Sequence, residues 1–261
     1  MSAFALHVGY EFKAAVRDRS HLFMNYLFPL LFFALVSAFM TRMDGTFRNR
    51  VIPAMAVFAL MCSCLLSMPP NLVGSRLNGM LRSYRIYGVP SWTAIAAPAL
   101  SNLGHMAIVT LVIAATATLT LGAPMPADPA LFCAAWLASA AALAGLGALV
   151  AVVSRTGRMA ILVAQVVYIP SIMLGGLMMP QSALPPALGQ VALLLPASHA
   201  MRAFAGGPGA AISLAALAAG GILSFVLSLL LFEWDATNTR PGARKLLALA
   251  ALIPYAATLL A

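Results

Sequence analysis

Residues 51–90 read VIPAMAVFALMCSCLLSMPPNLVGSRLNGMLRSYRIYGVP. Residues 51–75 contain no Asp, Glu, Lys or Arg, whereas residues 76–90 carry three arginines. A membrane-spanning helix needs about 20 predominantly apolar residues, and a charged side chain is costly at the centre of a bilayer. This stretch therefore predicts one span followed by a basic loop.

The same pattern extends along the whole chain. Of its 261 residues, 62% are hydrophobic and 8% are charged, and the mean hydropathy is +0.97. Soluble proteins carry about 25% charged residues, so we expect an all-α integral membrane protein with a six-span helical bundle. The uncharged windows place the spans of a transmembrane domain, residues 21–232, at about 22–41, 51–72, 93–121, 130–153, 159–179 and 208–232.

The N-terminal segment, residues 1–20, predicts an amphipathic helix that lies in the membrane interface. Four apolar residues recur at steps of four and form one stripe: Phe4, Val8, Phe12 and Val16. Three polar residues fall on another face: His7, Glu11 and Asp18. We favour a simple membrane anchor, and the compatible alternative is an elbow helix that touches a cytoplasmic partner.

The loop at residues 74–90 predicts a second amphipathic helix, which Gly88 and Pro90 end. Its apolar residues follow i, i+3, i+4, i+7 spacing: Leu77, Met80, Leu81 and Tyr84. Its polar residues share the opposite side: Asn78, Arg82 and Arg85. Two interpretations are equally favoured by this spacing, a basic loop that sets orientation or a docking helix for a soluble subunit.

Prolines and polar residues interrupt the chain at residues 180–206. Pro180, Pro185, Pro186 and Pro196 each remove a backbone donor and break helices. We expect a re-entrant hairpin of two short helices before the last main span, because irregular backbone at membrane depth survives only inside protein or beside water. In the C-terminal tail, residues 233–261, the apolar stretch 246–261 either forms a short seventh span or lies against the bundle.

The charge pattern predicts the orientation of the chain. The formal charge of +9 is spread singly between apolar runs, without the basic stripe and interleaved aromatics of a nucleic-acid-binding protein. With the N-terminus in the cytoplasm, most basic residues fall on that side, as membrane proteins require: Lys13, Arg17, Arg19, Arg76, Arg82, Arg85, Arg155, Arg158, Arg240, Arg244 and Lys245. The other side has Arg42, Arg48, Arg50 and Arg202.

The sequence lacks the residues that several classes of active protein need. Neither Lys13 nor Lys245 ends a phosphate-binding P-loop, so the chain is not its own P-loop ATPase. All six carboxylates fall at or outside span ends, which disfavours a proton-coupled transporter. The four histidines are far apart, and we expect His105 to be packed or hydrogen-bonded. We expect no catalytic residue, no cofactor and no metal site in the chain, and three small buried cysteines: Cys62, Cys64 and Cys133.

The order of these elements resembles the permease subunit of type-2 ABC exporters, the group of small bacterial drug and antibiotic efflux permeases. Arg76-Leu-Asn-Gly79-Met-Leu81-Arg82 is similar to the family's Glu-Arg-x-x-Gly-Thr-Leu loop motif, with Ser75 and Met80 at the Glu and Thr positions. Met173-Leu-Gly-Gly-Leu-Met-Met-Pro180, with the prolines that follow, is similar to its re-entrant region. The resemblance covers about residues 5–235.

This resemblance implies a non-enzymatic transport subunit that moves an amphipathic or hydrophobic cargo across the bacterial inner membrane. ATP and Mg would be bound by a separate ATP-binding subunit, present in two copies, and a second permease, identical or related, would complete the pathway. The implied docking residues are Arg76, Gly79, Leu81, Arg82 and Arg85. The implied outer gate contains Pro180, Pro185, Pro196, His199 and Arg202. The alternatives are an ion-gradient-driven secondary transporter and a non-transport membrane assembly subunit.

Overall fold

A computed structural model describes residues 3–235 and 245–259 of the chain. Six helices are long and apolar enough to cross a membrane, which confirms the prediction of an all-α, six-span membrane bundle. They are α2 (Arg19–Met43), α3 (Val51–Leu77), α5 (Ser91–Leu121), α6 (Pro129–Val153), α7 (Gly157–Leu174) and α10 (Ala210–Leu231). We call the end of the bundle that holds residues 78–90 and 154–156 the near end, and the opposite end the far end.

Helix α1 (Ala3–Arg17) precedes the bundle and packs against α5. The Phe12 ring stacks on the His105 ring with their centroids 3.9 Å apart. At the end of the predicted apolar stripe, Val16 is 46% exposed, and its neighbour Ala15 is buried. His7 also lies on the packed side, with its ring centroid 5.0 Å from that of Tyr84. A step of four exceeds the 3.6 residues of a helical turn, so the stripe rotates by about 120° over three steps.

The central helix is α3. In its most apolar 18-residue stretch, 94% of the residues are buried, compared with 22% in α7. Helix α3 packs against α5, α6 and α7, and also against the short helix α9 (Pro196–Ala205) of the hairpin described below. Any displacement of α3 therefore changes its contacts with most of the bundle.

Small residues on α6 allow its neighbours to approach closely. A Cβ added to Gly145 would lie 2.6 Å from the carbonyl oxygen of Gly221 on α10, and one added to Gly147 would collide with the backbone of Cys64 on α3. Helices in membranes commonly associate through such small residues, because backbones in contact gain dispersion energy. Helices α3 and α10 are thus held on two sides of α6.

The predicted single helix across residues 74–88 is wrong. Helix α3 continues to Leu77, and a separate short helix α4 (Met80–Ile86) begins after Gly79. Gly79 has a φ of +77°, a conformation that side chains with a Cβ adopt rarely. This turn separates two residues that the spacing had placed on one face: Leu77 is 50% exposed, whereas Leu81 is 2% exposed.

A hairpin of two short helices connects α7 to α10. Helix α7 ends at Leu174, five residues before the predicted end of the span at 179, because Gly175 caps it and Gly176 has a φ of +87°. After a 3-10 turn (Gln181–Ala183), helix α8 (Pro186–Ala192) and helix α9 each begin at a proline. Proline suits the first position of a helix, where no backbone donor is required.

The C-terminal segment contains helix α11 (Leu246–Ala257), which lies against the bundle. Lys245 Nζ donates to the Val153 carbonyl oxygen at the near end, at 3.0 Å. Tyr255 is buried against Gly220 in the middle of α10. Helix α11 therefore runs in the direction opposite to α10. Arg240 and Arg244, which enter the predicted orientation, lie outside the described residues.

Candidate functional site

The near end presents an exposed surface on and after α4. Arg82 and Arg85 are exposed, and they are followed by Ile86 at 75% and Tyr87 at 84% exposure. We call these four residues the α4 surface. Leu81 holds α4 to the core on its other side. Exposed arginine beside large apolar and aromatic side chains is the composition that protein interfaces favour.

Arg76 does not belong to the α4 surface, although the sequence motif groups it with Arg82. Its side chain is buried, and its guanidinium donates to the carbonyl oxygens of Val152, at 3.4 Å, and of Ser154. These carbonyls end α6, where a cation also complements the helix dipole. Of the predicted docking residues, the structure brings Arg82 and Arg85 to the surface. Arg76 and Leu81 are packed inside the bundle, and Gly79 forms the turn.

The far end holds the hairpin through buried hydrogen bonds. His199 on α9 is 1% exposed; its Nε2 lies 2.8 Å from the Leu193 carbonyl oxygen and its Nδ1 lies 3.4 Å from Ser213 Oγ on α10. Gln181 Nε2 donates to the carbonyl oxygens of Gly175 and Ser198, both at 3.3 Å. The two helices and the preceding turn are therefore tied to each other and to α10.

The other predicted gate residues occupy different environments. Arg202 is exposed, and its Nε donates to Gln181 Oε1 at 3.0 Å. Pro196 is buried at the start of α9, whereas Pro180 and Pro185 are exposed. The structure thus divides the predicted gate residues into a buried pair on α9 and three exposed residues.

Arg50 forms a salt bridge within the α2–α3 loop and connects this loop to the segment before the hairpin. Arg50 Nη2 lies 2.9 Å from Asp44 Oδ2 and also donates to the Met178 carbonyl oxygen at 3.3 Å. Hydrogen bonds from Thr46, together with the nearby Arg50 guanidinium, hold the pKa of Asp44 below its usual value. The carboxylate therefore stays charged over a wider pH range, which maintains its salt bridge with Arg50.

A polar cluster on three spans, buried except for the exposed Asn71 and the half-buried Tyr26, was missed by sequence analysis. We define it by residues from α2, α3 and α5: His21, Asn25, Tyr26, Ser67, Asn71, Asn102 and His105. Asn25 Nδ2 lies 2.5 Å from His21 Nε2 and 3.5 Å from Asn102 Oδ1, and Tyr26 Oη lies 2.6 Å from His105 Nδ1. His105 is packed and hydrogen-bonded as expected, but it is not isolated, because its ring centroid lies 6.0 Å from that of His21.

The sequence contains a signal for this cluster. Each of the three spans carries two polar residues three or four positions apart, which lie on one helical face: His21 with Asn25, Ser67 with Asn71, and Asn102 with His105. At the same level α2 and α3 contain π-helical segments, Phe23–Leu27 and Cys62–Ser67, which contact each other. Such segments occur frequently at functional sites.

Above the polar cluster, a cleft of about 330 Å³ opens at the near end between α1, α3, α4 and α5. His21, Asn71 and Asn102 contribute to both the cluster and the wall of this cleft. The cleft is therefore a polar depression that continues into the interior through hydrogen-bonded side chains.

The cysteines and the possible metal ligands are the remaining candidates for a site. Cys62 and Cys64 are buried as predicted, but Cys133 is exposed, so its predicted burial is wrong; it lies on the outer side of α6. Within residues 3–235 and 245–259, no group of three His, Cys, Asp or Glu residues is arranged to hold a metal ion.

A family model described as ABC-2 type transporter matches residues 3–207. The matched range includes α1, the first five spans, the α4 surface and both helices of the hairpin. No curated protein matches this chain.

Proposed function

This chain belongs to the ABC-2 type transporter family as a membrane permease subunit, and we propose that it exports an amphipathic or hydrophobic cargo. The energy comes from ATP hydrolysed, with Mg, on two copies of a separate ATP-binding subunit. The observation that carries this proposal is the α4 surface, which leaves two arginines and two large apolar side chains exposed beside the central helix.

The position of α4 supports a coupling role. Leu81 anchors α4 in the core, and Gly79 joins it directly to α3. Helix α3 packs against α9 of the hairpin. A subunit that pulls on the α4 surface therefore displaces α3, and α3 transmits the displacement to the hairpin at the far end. We assign the hairpin the role of the outer gate.

The remaining assignments follow from charge and family. The distribution of Lys and Arg favours a cytoplasmic near end and N-terminus. Assembly with a second permease, identical or related, completes the pathway in the bacterial inner membrane. The six spans contain few fixed charges, which suits a cargo that is itself partly apolar.

The test is charge reversal on the α4 surface. In proteoliposomes that contain the permease and its ATP-binding subunit, Arg82→Glu with Arg85→Glu should lower ATP-driven transport by about tenfold or more, equivalent to losing 1.4 kcal/mol of coupling. The amount of inserted permease should not change. Arg48→Glu is the matched control, because Arg48 is exposed at the far end.

Four outcomes contradict the proposal. Unchanged coupling in the double variant assigns the basic loop to orientation alone. Transport that survives ATP depletion and collapses with an ionophore identifies a gradient-driven transporter. A purified complex without any ATP-binding subunit points to an assembly role, and transport by the chain alone in liposomes removes the need for a partner.

A further inference from the structure

The near-end cleft has the size and lining of a small-molecule site. Its volume of about 330 Å³ lies within the usual range for ligand pockets. Glu11 and Asp18 of α1 line one wall, and the polar floor includes Ser101 and Asn102 of α5. Both floor residues are almost fully buried, at 2% and 3% exposure.

The charge of the lining is opposite to that of the chain. The chain has 15 Lys and Arg and six Asp and Glu, yet two carboxylates and, among the residues that the structure describes, no Lys or Arg line this cleft. Lys13 and Arg17 line a separate depression on α1, which Asp18 also borders. The lining therefore favours cations in a region where the rest of the surface favours anions.

The carboxylates are held in place but keep acceptor capacity. Asp18 Oδ1 accepts from the backbone N–H groups of Ser20, at 2.8 Å, and His21, at 3.4 Å, while no described residue hydrogen-bonds to Oδ2. Glu11 Oε1 lies 3.4 Å from His7 Nε2. Tyr84 also lines the cleft, and its ring lies beside that of His7, on the same helix as Glu11. Burial raises the pKa of Tyr84, and the Glu11 carboxylate raises it further.

A second observation lies directly beneath the floor. Asn25 has no exposed surface, and its Oδ1 has no hydrogen-bond partner within the described part of the chain. Its Nδ2 contacts His21 and Asn102, both of which line the cleft. A buried acceptor without a partner costs free energy unless a ligand or water satisfies it. The polar floor of the cleft is therefore continuous with a buried acceptor that the described residues leave unpaired.

The remaining wall is apolar and aromatic. Met68, Leu72, Leu81 and Pro98 line it together with Tyr84, whose ring face attracts cations. A ligand that fits has a positive group for the carboxylate side and an apolar body for this wall. We propose that the cleft binds an amphipathic organic cation as cargo taken up from the cytoplasmic side, an assignment that rests on the proposed function and orientation.

The test uses two probe ions of nearly the same shape and opposite charge, tetraphenylphosphonium and tetraphenylborate. Binding is measured with the full chain in phosphatidylcholine nanodiscs, and empty nanodiscs correct for partition into lipid. The phosphonium should bind saturably and at least about tenfold more tightly than the borate. A tenfold difference in affinity corresponds to an electrostatic preference of about 1.4 kcal/mol. Equal binding of the two ions overturns the proposal.

Two variants locate the site. Glu11→Gln with Asp18→Asn should weaken phosphonium binding about tenfold, while asparagine keeps the cap of α2. Gly74→Leu should weaken binding by occupying the cleft: Gly74 lines it, an added Cβ there meets no atom within 4 Å, and leucine favours the helix. The control, Lys13→Gln with Arg17→Gln, should retain binding. Binding that is unchanged in both cleft variants refutes the site.

The outcomes separate this inference from the proposed function. Charge-dependent phosphonium binding at the cleft, with no ATP-driven transport in the complete complex, supports the site and contradicts the function. ATP-driven transport with phosphonium binding that ignores both cleft variants supports the function and refutes the site. Loss of the ATP-binding subunit from the cleft variants, with phosphonium binding unchanged, assigns the cleft to that protein and also refutes the site.

Discussion

Residues 78–90 and residues 175–206 both interrupt the spans, but their side chains are used differently. In the first segment Arg82, Arg85, Ile86 and Tyr87 are exposed. In the second, His199 is buried with three hydrogen-bonding partners, Leu193, Ser213 and Thr258, and Gln181 bonds to two backbone carbonyls and Arg202.

The difference indicates what each segment requires from its surroundings. The near segment leaves its charged and apolar groups available to another molecule, so its energy of interaction is gained only on binding. The far segment pairs His199 and Gln181 internally, as buried polar groups generally require, and leaves Ser198 Oγ as its one buried side-chain oxygen without a partner among the described residues. Its geometry is therefore set largely by the fold. Substitutions in the near segment should therefore alter coupling, and substitutions in the far segment should alter stability.

Arg76 is the exception to this comparison, because it lies next to the near segment in the sequence but its side chain is buried. Arg76→Met keeps the length of the side chain and removes the donors to Val152 and Ser154. We expect a loss of about 3 kcal/mol in the free energy of unfolding, since hydrogen bonds to charged groups are the strongest. Denaturation of the purified permease measures it. Arg82→Met is the control, and a similar loss there would contradict the division.

His199→Leu sharpens the comparison at the far end. Leucine fills similar space but leaves the Leu193 carbonyl, Ser213 and Thr258 without the imidazole. The expected loss is about 2 kcal/mol in the free energy of unfolding, because unsatisfied buried groups retain their desolvation cost. Gln190→Leu on the exposed side of α8 provides the control. Unchanged stability in His199→Leu would show that the hairpin does not depend on these bonds.

The prolines of the hairpin give the smallest effect. Pro196→Leu should cost about 1 kcal/mol, because Pro196 is buried at the first position of α9, where its fixed φ favours the helix. Pro185→Leu, at an exposed position, should leave stability unchanged and alter transport. Protease resistance and transport are measured together for both variants. Equal losses of transport and of folded protein in the two variants would assign Pro185 a folding role.

The spans were predictable because the lipid environment constrains the sequence directly. A charge-free window such as 51–75 has one stable solution in a bilayer, and α3 occupies it. The end of α7 was predicted too late, because Gly175 and Gly176 are apolar by composition and reveal their role only through backbone geometry. Composition thus locates spans better than their ends.

The placement of site residues depended on contacts between distant segments. The spacing groups Arg76 with Arg82. However, the carbonyl oxygens that accept hydrogen bonds from Arg76 lie at the end of α6, about 76 residues further along the chain. The polar cluster likewise joins His21 to Asn71 across 50 residues. Local periodicity identifies which residues share a face, and only the fold determines what that face meets.

The π-helical segments of α2 and α3 have a consequence for any mutational scan of these spans. A π turn holds more residues than an α turn, so the side chains beyond it are rotated by roughly a quarter turn relative to those before it. One helical wheel cannot then represent α3, where residues 62–67 separate two phases. Scanning data should be plotted on one wheel for Val51–Met61 and another for Met68–Leu77; a single wheel would scatter a continuous face over both sides.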